Sequence, residues 1–285
     1  MKFFITGVNG QLGYDVKREL LERGYTDILA PTKEELNIRD EDTVKKMIRE
    51  YRPSVIFHCA AYTAVDKAEE EREKCYQVNV LGTKYLTEVA KEIGAKMIYI
   101  STDYVFDGTK DGLYQVEDKT APINYYGQTK YLGETFVSKY DNHIIVRISW
   151  VFGIHGKNFI RTMLNLADTH QELNVVCDQI GSPTYTKDVA GLLVKMFLSN
   201  VKGLYQVTNE GYCSWYELAE FIFKESHKKV KVHPILTKDY KTIAKRPLNS
   251  RMSKERLDDI EMKRLPEWQD AVKRYLRELK KEGVK

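Results

Sequence analysis

The sequence is poor in cysteine, and the four it has are badly spaced for cooperation. Cys59, Cys75, Cys177 and Cys213 are scattered over 285 residues, with no paired spacing for zinc or redox work. Reduced thiols, buried or half-buried, are the expectation. No stretch approaches the run of about 18 apolar residues that spans a membrane. The apolar run in Met1-Lys2-Phe3-Phe4-Ile5-Thr6-Gly7 is too short for a signal peptide. Together these absences point to a cytoplasmic protein without membrane contact. Charge of one sign is also scarce: the net charge is +4, with no block of Lys and Arg. Nucleic acid is therefore not indicated, although the mild basic excess suits an anionic ligand. No linker, repeat or low-complexity segment interrupts the chain. What is present is ordinary, 42% hydrophobic and 30% charged residues, enough for one large domain or two unequal lobes.

Strands and helices alternate through the first half. Lys2 to Thr6 reads as a short apolar strand, and Val16 to Arg23 as an amphipathic helix ended by Gly24. A strand near Asp27 to Pro31 is followed by a helix from Glu41 to Arg49, with Asp40 as its N-cap. Ser54 to Ala61 is a continuous apolar run, hence a buried parallel strand, in which His58 reads as a core histidine. A helical surface segment over 64–75, a long helix over 79–93, a strand over 96–104 and another over 144–150 complete the pattern. Four such alternations imply an α/β fold with a doubly wound, Rossmann-like parallel sheet. Beyond Trp150 the pattern loosens, with helices expected at 158–168, 186–199, 214–227 and 265–281. Strands are expected at 203–208 and 230–235. The expected division is residues 1–150 as a dinucleotide-binding domain and 151–285 mainly as a smaller α/β substrate lobe. The boundary should be interleaved, the chain crossing more than once.

Two short stretches carry chemistry. Gly7-Val8-Asn9-Gly10-Gln11-Leu12-Gly13 lies between a strand and a helix, where glycine lets backbone approach a phosphate and the free N–H groups of the helix start face the anion. The spacing is GxxGxxG, and the acidic residue that would bind a ribose 2′-hydroxyl at the end of the second strand is missing. Lys33 stands there instead. It suits a 2′-phosphate and so favours NADPH, the other reading being a solvated loop lysine. In Tyr125-Tyr126-Gly127-Gln128-Thr129-Lys130, a helix places Tyr126 and Lys130 four apart on one face. A cation beside a phenol favours the phenolate and makes the tyrosine a usable acid and base. Ser101, Thr102 and Asp103 arrive at the C-terminal end of a strand, where open α/β sheets bind ligands.

These motifs together resemble the extended short-chain dehydrogenase/reductase family. The carriers are Thr6-Gly7-xx-Gly10-xx-Gly13, Ser101-Thr102-Asp103 and Tyr126-xxx-Lys130. Longer strings are similar to its dTDP-4-dehydrorhamnose reductase branch, among them Cys59 to Glu69, Ser101 to Gly108, Tyr126 to Glu134, Asp178-Gln179-xx-Ser182-Pro183-Thr184 and Arg246-Pro247-x-Asn249-Ser250. The resemblance implies Thr102, Tyr126 and Lys130 as a catalytic trio. It implies a cofactor, NADPH or NADH, along Gly7, Gly10, Gln11, Leu12, Gly13, Arg39, Asp40, Ala60, Ala61, Tyr62, Thr63, Tyr126 and Lys130. The substrate would lie near Val65, Thr102, Asp103, Tyr104, Tyr126 and Trp150. The implied reaction is reduction of the C4 ketone of dTDP-4-dehydro-L-rhamnose, with Tyr126 supplying the proton, Lys130 lowering its pKa and Thr102 hydrogen-bonding the developing oxygen charge. The small-molecule nucleotide sugar would be the partner, and the protein a monomer or a homodimer.

Plainer readings stand beside these. Asp103 caps a turn, Asp40 caps its helix, Trp150 is a core aromatic, Arg246 is either a diphosphate ligand or a surface charge, and Trp215 is packing. Some members of the family hold magnesium between acids at a dimer interface, and Asp15 and Asp188 correspond to part of such a site. The third acid would be Glu278 or Glu282, among Arg277, Lys280, Lys281 and Lys285, so no metal is expected. Two other functions remain open. A dehydratase would show Asp-Glu after the catalytic threonine, where Asp103 is followed by Tyr104; an epimerase would hold its cofactor tightly. A non-catalytic NADP-binding regulatory subunit would bind a partner enzyme.

Overall fold

The computed structural model describes residues 1–283; Lys285, one of the basic residues weighed against magnesium, lies outside them. The first half runs β1 (Phe3–Thr6), α1 (Gln11–Glu22), β2 (Ile28–Leu29), α2 (Glu41–Tyr51), β3 (Val55–His58), α3 (Val65–Glu70), α4 (Arg72–Tyr76), a π-helical turn (Gln77–Leu81), α5 (Gly82–Ile93), β4 (Lys96–Thr102), a 3-10 turn (Asp103–Val105), α6 (Tyr125–Val137) and β5 (His143–Ile148). The second half runs β6 (Val151–Phe152), α7 (Phe159–Leu166), β7 (Glu172–Val176), β8 (Ile180–Gly181), β9 (Thr184–Tyr185), α8 (Thr186–Leu198), β10 (Gly203–Gln206), β11 (Cys213–Ser214), α9 (Trp215–Ser226), β12 (Lys231–Ile235), α10 (Glu255–Asp258) and α11 (Trp268–Lys281). Among the described residues no helix is long and apolar enough to cross a membrane.

The main sheet has the order β10-β5-β4-β3-β1-β2, with every pair parallel. Strand side chains alternate between two cores. Phe3, Ile5, Val55, Phe57, Ile98, Ile144 and Val146 face α1 and α8. Phe4, Ile56, Met97, Tyr99 and Ile145 face α2, α5 and α6. The doubly wound expectation is met, and the order turns back between β1 and β3, where such sheets bind ligands outside their strand ends.

In its second half the chain returns to the large sheet. The expected strand over 203–208 becomes β10, the edge of the large sheet beside β5, and α8 packs in the core of that sheet. The reason is hydrophobic: Val189, Leu192, Leu193, Val194 and Met196 form an apolar face that the sheet buries. The second lobe is what remains, α7, α9 and α11 around their own core. Its two-stranded sheet pairs β12 with β7, a strand absent from the sequence reading. Local signals fix the helix ends. Asp40 caps α2 through the Thr43 N–H at 3.1 Å, and Ser214 with Glu217 forms a capping box on α9. Helix α1 starts at Gln11 rather than Val16, because it continues straight out of the glycine turn.

Candidate active site

One cavity of about 850 Å³ opens along the C-terminal ends of the central strands. At one end it is made of backbone. Gly7 has φ +72°, a left-handed conformation suited to glycine, and a Cβ there would stand 2.6 Å from the Ala60 nitrogen. Gly10 is the N-cap of α1 and brings no side chain to the helix start, so the first N–H groups face the cavity unshielded. Gly7, Gly10, Gln11, Leu12, Arg39, Ala60, Ala61, Tyr62 and Thr63 all line this end. Gly13 and Asp40 do not. Gly13 abuts the Gly7 carbonyl, which lets helix pack on turn, and Asp40 is engaged as the α2 cap. The lining from Pro31 to Lys33 and from Leu36 to Arg39 carries no carboxylate, and its cations are Lys33 and Arg39.

The rest of the cavity is made of side chains. Asn124 caps α6 by accepting the Gly127 N–H at 2.8 Å, and Gly127 lets the helix start press against the Tyr104 carbonyl. That seats Tyr126 beside Thr102 in the cavity lining. Thr102 donates its own proton to Asp103 Oδ1 at 3.0 Å and accepts the Tyr104 N–H at 3.2 Å. Asp103 Oδ2 accepts from Ser250 at 2.5 Å. Asp103 is 2% exposed, and burial pushes its carboxyl up to about 6, against the lowering hydrogen bonds from Ser250 and Thr102.

Lys130 departs from the sequence expectation. Its ammonium donates to the Ile100 carbonyl at 2.6 Å and lies 4.0 Å from the centre of the Tyr99 ring. Burial lowers its pKa to about 7, while Glu134, one turn further on, pulls it upward. Glu134 is itself clasped by Arg147 of β5 at 2.8 and 2.9 Å. Tyr126 is raised rather than lowered, first by burial, although the nearby Thr102 hydroxyl opposes it. Enclosure in low dielectric outweighs the favour of a nearby cation that is aimed elsewhere. His58 is a core histidine, held between Thr6 at 2.8 Å and Thr83 at 3.0 Å and kept neutral by burial, which drops its pKa to about 3.

Val65, Tyr104 and Trp150 also line the cavity. Trp150 sits at φ +48°, and its ring stacks on Trp215 with centroids 3.6 Å apart. Gly181 leaves room beneath it: a Cβ there would come within 2.6 Å of the indole. Trp215, read from sequence as packing, lines the cavity as well, its indole N–H donating to Gln179 at 3.2 Å. Lys74 and Lys157 at the rim were not singled out either; no local pattern marks a lone exposed lysine. Arg246 lies outside the lining and is bound to Asp66 at 2.7 and 3.2 Å.

The acids weighed for magnesium are held by organic cations. Asp15 accepts from Thr186 and pairs with Arg18 at 3.0 Å. Glu278 pairs with the same Arg18 at 2.7 Å, and Asp188 with Arg274. Among the described residues no group of three or more His, Cys, Asp or Glu stands ready for a metal, and this donor set does not fit one.

Residues 1–281 match the family described as RmlD substrate binding domain. A spore coat polysaccharide biosynthesis protein, SpsK, of Bacillus subtilis is 41% identical, with 97% of each chain covered. A dTDP-4-dehydrorhamnose reductase of Sinorhizobium fredii is 38% identical, with 99% of each covered. The solved dTDP-4-dehydrorhamnose reductase of Bacillus anthracis, in complex with NADP, superposes with a TM-score of 0.94 at 40% identity, covering 98% of this chain and all of that one.

Proposed function

The chain belongs to the RmlD substrate binding domain family, and on that premise we propose that it is an NAD(P)H-dependent dTDP-4-dehydrorhamnose reductase. It reduces the C4 ketone of dTDP-4-dehydro-L-rhamnose to dTDP-L-rhamnose, for deoxysugar and polysaccharide biosynthesis. The observation that carries the reading is the buried set of Tyr126, Thr102 and Lys130 at the meeting point of a glycine-turn cleft and a side-chain cleft.

The glycine end fits a dinucleotide. Gly7 and Gly10 bring no side chain to a turn that packs backbone on backbone, the open helix start of α1 suits a pyrophosphate, and Lys33 with Arg39 suits the phosphate of NADPH. When bound, the cofactor supplies the hydride. The chain's residues do the rest. Burial keeps the Tyr126 phenol protonated, the state a proton donor to a forming alkoxide requires. Thr102 stands beside that phenol with its own proton given to Asp103, placed to hydrogen-bond the developing oxygen charge. Lys130 offers an ammonium or amine next to the ribose side of the cleft, its pKa near 7 making both forms accessible at neutral pH. Trp150 and Trp215 offer a flat apolar wall for a ring of the nucleotide sugar. Enclosure by these side chains keeps water from the reacting ketone.

The protein would act as a monomer or a homodimer. The four free cysteines suit a cytoplasmic setting. The test is to mix purified protein with NADPH and freshly generated dTDP-4-dehydro-L-rhamnose and follow cofactor absorbance. Stoichiometric oxidation with dTDP-L-rhamnose as product supports the reading. Bound NADPH that is never oxidised, with NADH tried as well, contradicts it.

A further inference from the structure

The segment 244–250 is fastened at each step to a different part of the catalytic half. The Ala244 N–H donates to Asp66 at 3.0 Å, and Arg246 grips the same carboxylate. Asn124, the cap of α6, donates its amide to the Lys245 carbonyl at 2.8 Å. The Asn249 N–H reaches Gly108 at 3.2 Å, and the Ser250 N–H reaches Ile180 of β8 at 2.7 Å. These fixed points deliver one hydroxyl, that of Ser250, to Asp103 Oδ2. Ser250 is 3% exposed and Thr102 is 5% exposed, so no bulk water competes for these bonds.

We propose that Ser250 is a positioning residue for the reduction. By holding Oδ2 of Asp103 it leaves Oδ1 to take the Thr102 proton, and so fixes the Thr102 hydroxyl beside Tyr126. The order of the hydrogen bonds is forced by the count of protons: Ser250 gives one, Thr102 gives one, and the carboxylate gives none. Protonation of Asp103 breaks this order, because the carboxyl becomes a donor and one of the two hydroxyls must turn round. The other titratable groups near Asp103 are the Tyr104 and Tyr126 phenols, and beyond Tyr104 the Arg246–Asp66 pair. Asp103 titrates near 6, well below a phenol, and Lys130, near 7, titrates above it. The Ser250 bond lowers the Asp103 pKa. Its loss therefore raises that pKa and narrows the pH range in which the chain is correctly ordered.

The inference rests on the reductase reading, and the test separates the two. In Ser250→Ala the Asp103 carboxyl, followed by carbon-13 NMR and assigned with Asp103→Asn, is expected to titrate about 1 pH unit higher, the size of a lost hydrogen bond to a charge. The acid limb of the kcat profile should move up with it. At neutral pH kcat should fall by about tenfold with KM little changed, and Ser250→Thr, which keeps the hydroxyl, should restore it. An Asp103 titration that stays in place overturns the proposal, and so does a fall in stability or KM with the acid limb unmoved. The NMR titration needs no substrate, so it decides the Ser250–Asp103 link by itself. Wild-type protein that oxidises no cofactor contradicts the reductase reading instead.

Discussion

The two ends of the cavity are built by different means. The glycine end is backbone from one short stretch, Gly7 to Leu12, set against Ala60 to Thr63. The catalytic end is side chains from β4, α6, the start of α9 and the segment at Ser250. A backbone site is rigid and tolerant of the side chains around it, but intolerant of any Cβ. A side-chain site is tuned by proton counts and burial, and one hydroxyl changes it. Binding should therefore fail through geometry at the first end, and chemistry through polarity at the second.

The sharpest way to divide them is Tyr126→Phe. It keeps the ring and removes the proton, and turnover should drop by about 10²–10⁴, the range of general acid–base catalysis. Steady-state kinetics at saturating cofactor reads it. Next in size is Gly7→Ala. An alanine at φ +72° costs about 1–2 kcal/mol and presses on Ala60. NADPH affinity, measured by fluorescence titration, should fall by about 5- to 30-fold at about 1.4 kcal/mol per decade. Lys33→Glu is the smallest. It should raise the KM for NADPH about tenfold, the value of one charge-assisted contact, and leave the KM for NADH alone. Equal loss with both cofactors would remove Lys33 from the 2′-phosphate.

The same contrast explains what the sequence disclosed. The glycine turn, the α2 cap and the Tyr126/Lys130 spacing are local, so residue order alone reveals them. The alternation of strands and helices revealed the sheet because both its faces are buried and its strands are continuous apolar runs. Hidden were the pairings across long separations. Nothing near Ser250 announces that it meets Asp103, 147 positions away. Nothing near Trp215 says that Trp150, in a left-handed turn, stacks on it. The direction of the Tyr126 shift was hidden for the same reason. A lysine four residues on predicts a lowered pKa. Only the fold shows that β4 draws its ammonium to Ile100 and that enclosure dominates. Which sheet the strand over 203–208 joins was hidden, because a four-residue strand carries no mark of it.

The claim that binding and chemistry reside at separate ends is tested most directly by one paired measurement, the NADPH dissociation constant and the single-turnover rate of cofactor oxidation, in Tyr126→Phe and Gly7→Ala side by side. The account predicts that Tyr126→Phe loses rate by 10²-fold or more with affinity unchanged. Gly7→Ala should lose affinity and, once saturated, keep most of its rate. Variants that each lose both in proportion would contradict it.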